Sequence, residues 1–289
     1  MLYIDELSLP GVEIEERSPD CREYPFAIFP PIGLGGLRFG QVTVVCGGNG
    51  SGKSTLLGVL ADILRLPRTE EVYHSEAYLD FLELCKCTRE GREAAGTLPP
   101  GSRMITSNDV FGKLLRDNRE NLRVRDEREK AEDVYLNSKF GHVKFDSMER
   151  LEELKAQNLA RRRSAARFVR DRAGDYRQRF SNGESALMYF ERAIENDALY
   201  LLDEPENSMS PSYQILLARL ISDSARFSGC QFVIATHSPF IMALPNAVVC
   251  DLDADPARVR PWSEVAGMRE YWRFFTDHSA EFEDGGERE

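Results

Sequence analysis

Residues 47–55, Gly-Gly-Asn-Gly-Ser-Gly-Lys-Ser-Thr, fit the pattern G-x-x-x-x-G-K-[ST]. Glycines at this spacing let backbone amides curl around phosphate oxygens with no Cβ in the way. A helix N-terminus directly after the loop adds about half a unit of positive charge. In such a loop the backbone of Gly47, Asn49, Gly50, Ser51, Gly52 and Thr55 surrounds a nucleotide's phosphates. Lys53 reaches the β- and γ-phosphates, and the Ser54 hydroxyl ligates Mg²⁺. A second chemical cluster is Asp203-Glu204-Pro205-Glu206, which follows the apolar run ALYLL. A strand that delivers an aspartate at its C-terminal end supplies a Mg²⁺ ligand, and the adjacent Glu204 can align and polarise a water. Two carboxylates at the end of a buried strand carry a desolvation cost with no structural return. Further on, QFVIAT ends in His237, which can donate a hydrogen bond to a γ-phosphate. Residues 180–185, FSNGES, raise a question of their own: a Ser-Asn-Gly turn opening a helix also suits a phosphate, in a chain that already carries one phosphate loop.

These groups need elements to hold them. QVTVVC (41–46) is a β-branched run ending in glycines and reads as a buried strand. Leu56, Leu57, Leu60, Ile63 and Leu64 repeat at helical spacing up to the stop before Pro67. The opening segment reads as β-rich, with MLYIDELSL, VEIEE and YPFAIF as strands. Residues 68–179 are charged and predominantly helical, with a strand-like RMIT at 103–106. The alternation then resumes with a helix over 184–195, strand 198–202, a helix over 211–226 and strands at 231–236 and 247–253. Strands separated by helices imply a parallel sheet covered on both faces. The spacing of Val265, Met268, Trp272 and Phe275 predicts a core-facing helix near the C-terminus, with a partner surface as the alternative.

The 289-residue chain is 42% hydrophobic and 29% charged, with a net charge of −11. These values fit a soluble globular protein and argue against a surface coated for nucleic acid. No apolar run is long enough for a membrane span, and the first residues lack the charge and apolar core of a signal peptide. Six scattered cysteines fit reduced thiols of the cytoplasm. The charge is uneven: between 157 and 179, eight arginines face Asp171 and Asp175 alone.

GGNGSGKST, FSNGES, LYLLDEPENSMSP and IATHSPF, in this order and spacing, resemble the ATP-binding-cassette (ABC) ATPase superfamily. The likeness is to its soluble SMC/RecF-like branch, of the kind called AAA-family ATPases. The resemblance implies an α/β P-loop NTPase fold over 1–289: a mainly parallel sheet flanked by helices, with an N-terminal β-rich subdomain and a charged helical insert. Within it lie a β-rich start with the P-loop and its helix (1–67), the insert (68–179), and a segment with signature, Walker B strand, switch histidine and C-terminal helix (180–289). It implies ATP and Mg²⁺ as cofactors, hydrolysis of ATP to ADP and phosphate, Asp203 as the Walker B aspartate, Glu204 as the catalytic glutamate and His237 as the switch histidine. Ser181, Asn182, Gly183 and Glu184 correspond to the signature, which caps ATP on a second copy, so the family pattern implies a homodimer with ATP at its interface. Asn207-Ser208-Met209-Ser210 falls at the D-loop. Asn182 replaces the usual glycine, and asparagine tolerates a left-handed backbone. The family's Q-loop glutamine has no counterpart at the expected place; Ser107 or Asn108 is a substitute there, or an ordinary helix cap. Tyr24, Phe26 and Phe29 are candidates for the aromatic that stacks on adenine. The implied process is DNA repair or phage defence. The alternatives are an ATP-driven switch on a protein effector and, least, a transporter's nucleotide-binding subunit. Arg161, Arg162, Arg163, Arg167 and Arg170 form either a nucleic-acid contact or a solvated helix face.

Overall fold

The computed structural model describes residues 2–11, 23–26, 28–69, 74–94, 98–140, 155, 158–159, 162–173 and 181–283. Two compact units emerge, one formed by Met1–Val110 with Asn182–Glu289, the other by Phe111–Ser181.

The first unit holds two sheets. Strands β1 (Glu6–Ser8), β2 (Gly36–Arg38), β4 (Lys86–Arg89) and β5 (Arg92–Glu93) make an antiparallel sheet in the order β2-β1-β4-β5. Strands β3 (Val42–Cys46), β6 (Arg103–Thr106), β7 (Leu199–Asp203), β8 (Gln231–Ala235), β9 (Val248–Asp251) and β10 (Arg258–Val259) make the second, in the order β10-β9-β3-β8-β7-β6. All pairs of the second sheet are parallel except β9 with β10. Strands β3, β7 and β8 are buried almost throughout, as their unbroken apolar runs require when both faces are covered.

Alternate residues on these strands point into two cores. Val45, Leu199, Leu201, Val233 and Ala235 pack with the antiparallel sheet and with helix α1 (Lys53–Leu64), through Leu56, Leu57, Leu60 and Leu64. Val42, Val44, Tyr200, Leu202, Phe232 and Ile234 face the other way. There they meet Ala186 and Phe190 of α5 (Asn182–Ala193), Leu217 and Ile221 of α6 (Pro211–Phe227), and Ile241 of α7 (Pro239–Met242). The side chain of Gln231 staples the N-terminal segment to the sheet: its oxygen accepts from the amides of Tyr3 and Ile4 at 2.7 and 3.0 Å, and its nitrogen donates to the carbonyls of Ile4 and Gly40.

Three local expectations need correction. In the run YPFAIF, residues 24–26 and 28–29 form turns, because Phe26 and Phe29 serve as core plugs against Phe81 instead of alternating across a sheet. Residues 86–93, inside the stretch read as mostly helical, form the β4–β5 hairpin beside helix α2 (Glu76–Leu84) and complete the antiparallel sheet. Near the C-terminus, Val265 and Met268 are buried, but α8 (Ala266–Asp277) then leaves the core, and Trp272 and Phe275 are 60% and 53% exposed. The VEIEE segment lies outside the described residues.

In the second unit, α3 (Ser107–Phe140) continues as a long charged helix, and α4 (Ala165–Ala173) packs on it through Tyr135 and Phe168, whose ring centroids are 5.4 Å apart.

Candidate active site

The loop after β3 leads directly into α1, so the 47–55 segment occupies the strand-to-helix position its sequence pattern requires. Gly47 (φ 154°) and Gly52 (φ 97°) are fixed by geometry. A Cβ on Gly47 would meet Ser51 Oγ at 2.6 Å, and one on Gly52 would meet Ile28 at 2.6 Å. Lys53 is 5% exposed and folds back over the loop, its Nζ donating to the carbonyls of Gly47 and Gly48 at 2.9 and 2.8 Å. That posture places an ammonium inside the ring of loop backbone. Thr55 Oγ1 accepts from the Tyr24 hydroxyl at 3.2 Å. Of the three aromatic candidates, Phe26 and Phe29 are buried to 1% and 0% exposure, whereas Tyr24 is 54% exposed beside the loop, its ring stacked on Tyr78.

Strand β7 delivers Asp203 next to α1: Ser54 Oγ donates to Asp203 Oδ1 at 3.1 Å. Burial pushes the Asp203 carboxyl up from its usual range; the Glu204 and Glu206 charges add to the rise, while the Ser54 hydrogen bond and Lys53 counter it. A hydroxyl and a desolvated carboxylate at this separation, crowded by two further acids, form an oxygen donor set suited to a hard divalent cation. The residues therefore fit Mg²⁺, with Ser54 and Asp203 as the groups that would hold it.

Glu204 stands in a left-handed conformation (φ 48°), a strain of order 1–3 kcal/mol for a non-glycine residue. Its amide donates to the Ala235 carbonyl at 2.9 Å, which ties the turn to β8. Its carboxylate is flanked on both oxygens, with Asn207 Nδ2 donating to Oε2 at 2.9 Å and His237 Nε2 lying 3.7 Å from Oε1. The loops after β3, β7 and β8 thus meet at the carboxyl ends of neighbouring parallel strands, where open α/β sheets bind ligands.

Two acids escaped sequence reasoning. Glu206 is 8% exposed, and its Oε1 accepts three hydrogen bonds: from Thr236 Oγ1 at 2.6 Å, His237 N at 2.7 Å and Ser238 N at 3.1 Å. It clamps the turn that carries His237. Asp253, after β9, accepts from Gly48 N at 2.7 Å and pins the base of the glycine loop. The first was legible as the fourth residue of Asp-Glu-Pro-Glu; the second had no sequence signal.

The remaining expected site residues fall as follows. Ser181 and Asn182 are exposed, Gly183 is buried against Tyr213, and Glu184 is half-buried. Asn182 opens α5 in right-handed backbone, so no left-handed turn is needed there. Phe180 and Arg161 lie outside the described residues. At the end of β6, Thr106 and Asp109 cap α3: Asp109 Oδ2 accepts from Thr106 N at 2.8 Å, and Asp109 N donates to Thr106 Oγ1 at 3.3 Å. Ser107 and Asn108 sit in the first turn of that helix, half-buried and exposed respectively.

Comparison with known families adds an independent finding. The profile of the family described as "AAA domain, putative AbiEii toxin, Type IV TA system" matches residues 114–243, a little under half of the chain, and that span includes the 181–184, 203–206 and 237 motifs. The architecture around these motifs is mixed α/β, with a mainly parallel sheet. Similar solved structures include an Smc head domain from Pyrococcus furiosus bound to the C-terminal domain of ScpA (16% identity, 96% of this chain and 100% of that chain, TM-score 0.42). An SMC head domain from Thermotoga maritima is 13% identical over 90% of this chain and 99% of that one, with a TM-score of 0.39. A nucleotide-free ATP-binding cassette from an ABC transporter is 14% identical over 74% and 79%, with a TM-score of 0.36. No curated protein matches. Among the described residues, no helix is long and apolar enough to cross a membrane.

Proposed function

We propose that the protein binds ATP on the 47–55 loop and hydrolyses it to ADP and phosphate. The observation that carries this reading is the convergence of Lys53, Ser54, Asp203, Glu204 and His237 at the carboxyl ends of adjacent strands. Tyr24, exposed beside Thr55, offers its ring to the base. Lys53 turns from the Gly47 and Gly48 carbonyls to the β- and γ-phosphates as they enter. Bound Mg²⁺ would supply charge neutralisation between those phosphates, held by Ser54 and Asp203. Glu204 accepts a proton from water as its oxygen approaches the γ-phosphorus in line with the departing ADP oxygen, and His237 donates to the γ-phosphate.

In the same reading, the exposed Ser181 and Asn182, with the N-terminus of α5, close over ATP held by a second copy. Two ATP molecules then join two copies, and loss of the γ-phosphates releases them. The process served is DNA repair or phage defence. The toxin–antitoxin wording of the matching family favours, as a second reading, an ATP-driven switch on a protein effector.

The test is Glu204→Gln, which keeps the Asn207 contact and removes the base. This variant should retain ATP in equilibrium dialysis while turning over at least ~10²-fold more slowly. Turnover at the parent rate would remove Glu204 from the chemistry.

A further inference from the structure

The arginine-rich segment before α5 has a feature that the ATP chemistry does not use. Between α3 and α4, wholly within the second unit, lies a cavity of about 820 Å³. Arg128, Glu132, Tyr135 and Leu136 line it from α3, and Arg167, Val169 and Arg170 line it from α4. The arginines of this region differ in what holds them. Arg163 pairs with Asp171, and Arg172 lies over the Phe168 ring, 4.6 Å from its centroid. Arg167 and Arg170, both exposed, have no ion-pair partner among the described residues. Three positions apart on α4, they project from one helix face, and Glu132 is the single carboxylate of the lining. Tyr135 and Val169, both 5% exposed, form an apolar floor beside them.

Two guanidiniums with no ion-pair partner among the described residues, on one rim of a cavity, are a fork for an anion with several oxygens. The volume far exceeds that of inorganic phosphate and falls in the range of small-ligand sites, and the floor requires an uncharged body attached to the anion. With a chain charge of −11, diffuse attraction does not gather polyanions, so binding depends on this local geometry. We propose that this cavity is a second nucleotide-unit site, separate from the 47–55 loop, in which Arg167 and Arg170 hold a phosphate and the floor receives the sugar and base. The nucleotide unit comes either from a free mononucleotide or from a single strand.

The experiment uses the full chain without ATP, since a free nucleotide would also enter the proposed site, and a labelled short oligothymidylate followed by fluorescence anisotropy over a range of salt. Unlabelled thymidine monophosphate serves as competitor. Arg167→Glu/Arg170→Glu should weaken binding about tenfold or more and reduce the steepness of the log–log salt dependence by about 0.7 for the one lost phosphate contact on a single strand. Ala166→Trp, which fills the cavity without altering charge, should produce a comparable loss. Arg123→Glu/Arg125→Glu, an equal charge change at ion-paired positions on α3 outside the cavity, should leave binding within about twofold. Competition by thymidine monophosphate assigns the site to free nucleotides; its failure, with oligothymidylate bound, assigns it to a strand. Equal losses in the two double variants, no binding of either probe, or equal competition by polyglutamate would overturn the proposal. ATP turnover measured on the same proteins in a separate assay reports on the 47–55 loop.

Discussion

Asp203 shows at single-residue scale how this site trades stability for a ligand. Burial raises its pKa, and the neighbouring Glu204 and Glu206 charges push it the same way. A carboxyl whose pKa is higher in the folded than in the unfolded chain holds its proton more tightly when folded. Its ionised form therefore subtracts from stability at neutral pH, and the penalty shrinks as pH falls through the raised pKa. Asp203→Asn keeps an oxygen for the Ser54 hydroxyl but removes the buried charge. The metal- and nucleotide-free variant should thus melt above the parent at pH 7, with the difference closing as the buffer is acidified, and it should lose the added stability that Mg-ATP gives the parent. Thermal melts of both proteins over a pH series, with and without Mg-ATP, check this. A lower melting temperature at pH 7 would show that Asp203 is a structural acid.

Among the elements, the turn after β8 and the segment after β7 behave as one piece. Glu206 gathers Thr236, His237 and Ser238 onto one oxygen. Ser238 Oγ then donates to Gln214 Oε1 at 2.8 Å, and Gln214 Nε2 returns to the Met209 carbonyl at 3.0 Å. Position of the imidazole is thereby slaved to residues 206–209. Glu206→Gln retains an acceptor oxygen and should keep most of the activity. Glu206→Ala leaves the Thr236 hydroxyl and the His237 amide without this acceptor, while Ser238 N keeps Thr236 Oγ1; it should cost about 1–3 kcal/mol of stability and lower kcat at least ~10-fold, with little change in ATP affinity. In the background of His237→Ala, the same change should lower kcat no further, although stability still falls. A further drop would mean that Glu206 acts elsewhere than through the histidine. The sequence announced the parallel strands, because doubly buried strands read as unbroken apolar runs. It also placed Lys53 and Ser54 at the start of the helix after the glycine loop, and Asp203, Glu204 and His237 at strand ends. It could not announce the clamp, since a buried glutamate and an exposed one look alike until the donors around them are known. Phe26 and Phe29 misled for a related reason: an aromatic run suits a strand, but only the finished core shows that these rings fill the space around Phe81.

For the whole molecule, the question is whether one copy completes its own site. Ser181 and Asn182 are exposed at the start of α5. If they serve a neighbour's ATP, defects on different copies must complement. Lys53→Ala alone and Ser181→Arg alone should each abolish turnover, since every homodimer then has two broken sites. Mixed in equal amounts and allowed to exchange, random pairing makes half of the dimers heterodimers, each with one site that carries both lesions and one that carries neither. Turnover should recover to about a quarter of the parent level, provided that the two sites act independently. A mixture that stays inactive after exchange, while light scattering shows heterodimers, would mean that Ser181 works within its own chain or that both sites must fire together. In a mixture that recovers, adding Glu204→Gln to one member checks which site carries the turnover. If the intact site fires alone, turnover should be lost when Glu204→Gln is placed on the Ser181→Arg chain, which carries the intact loop, and kept when it is placed on the Lys53→Ala chain.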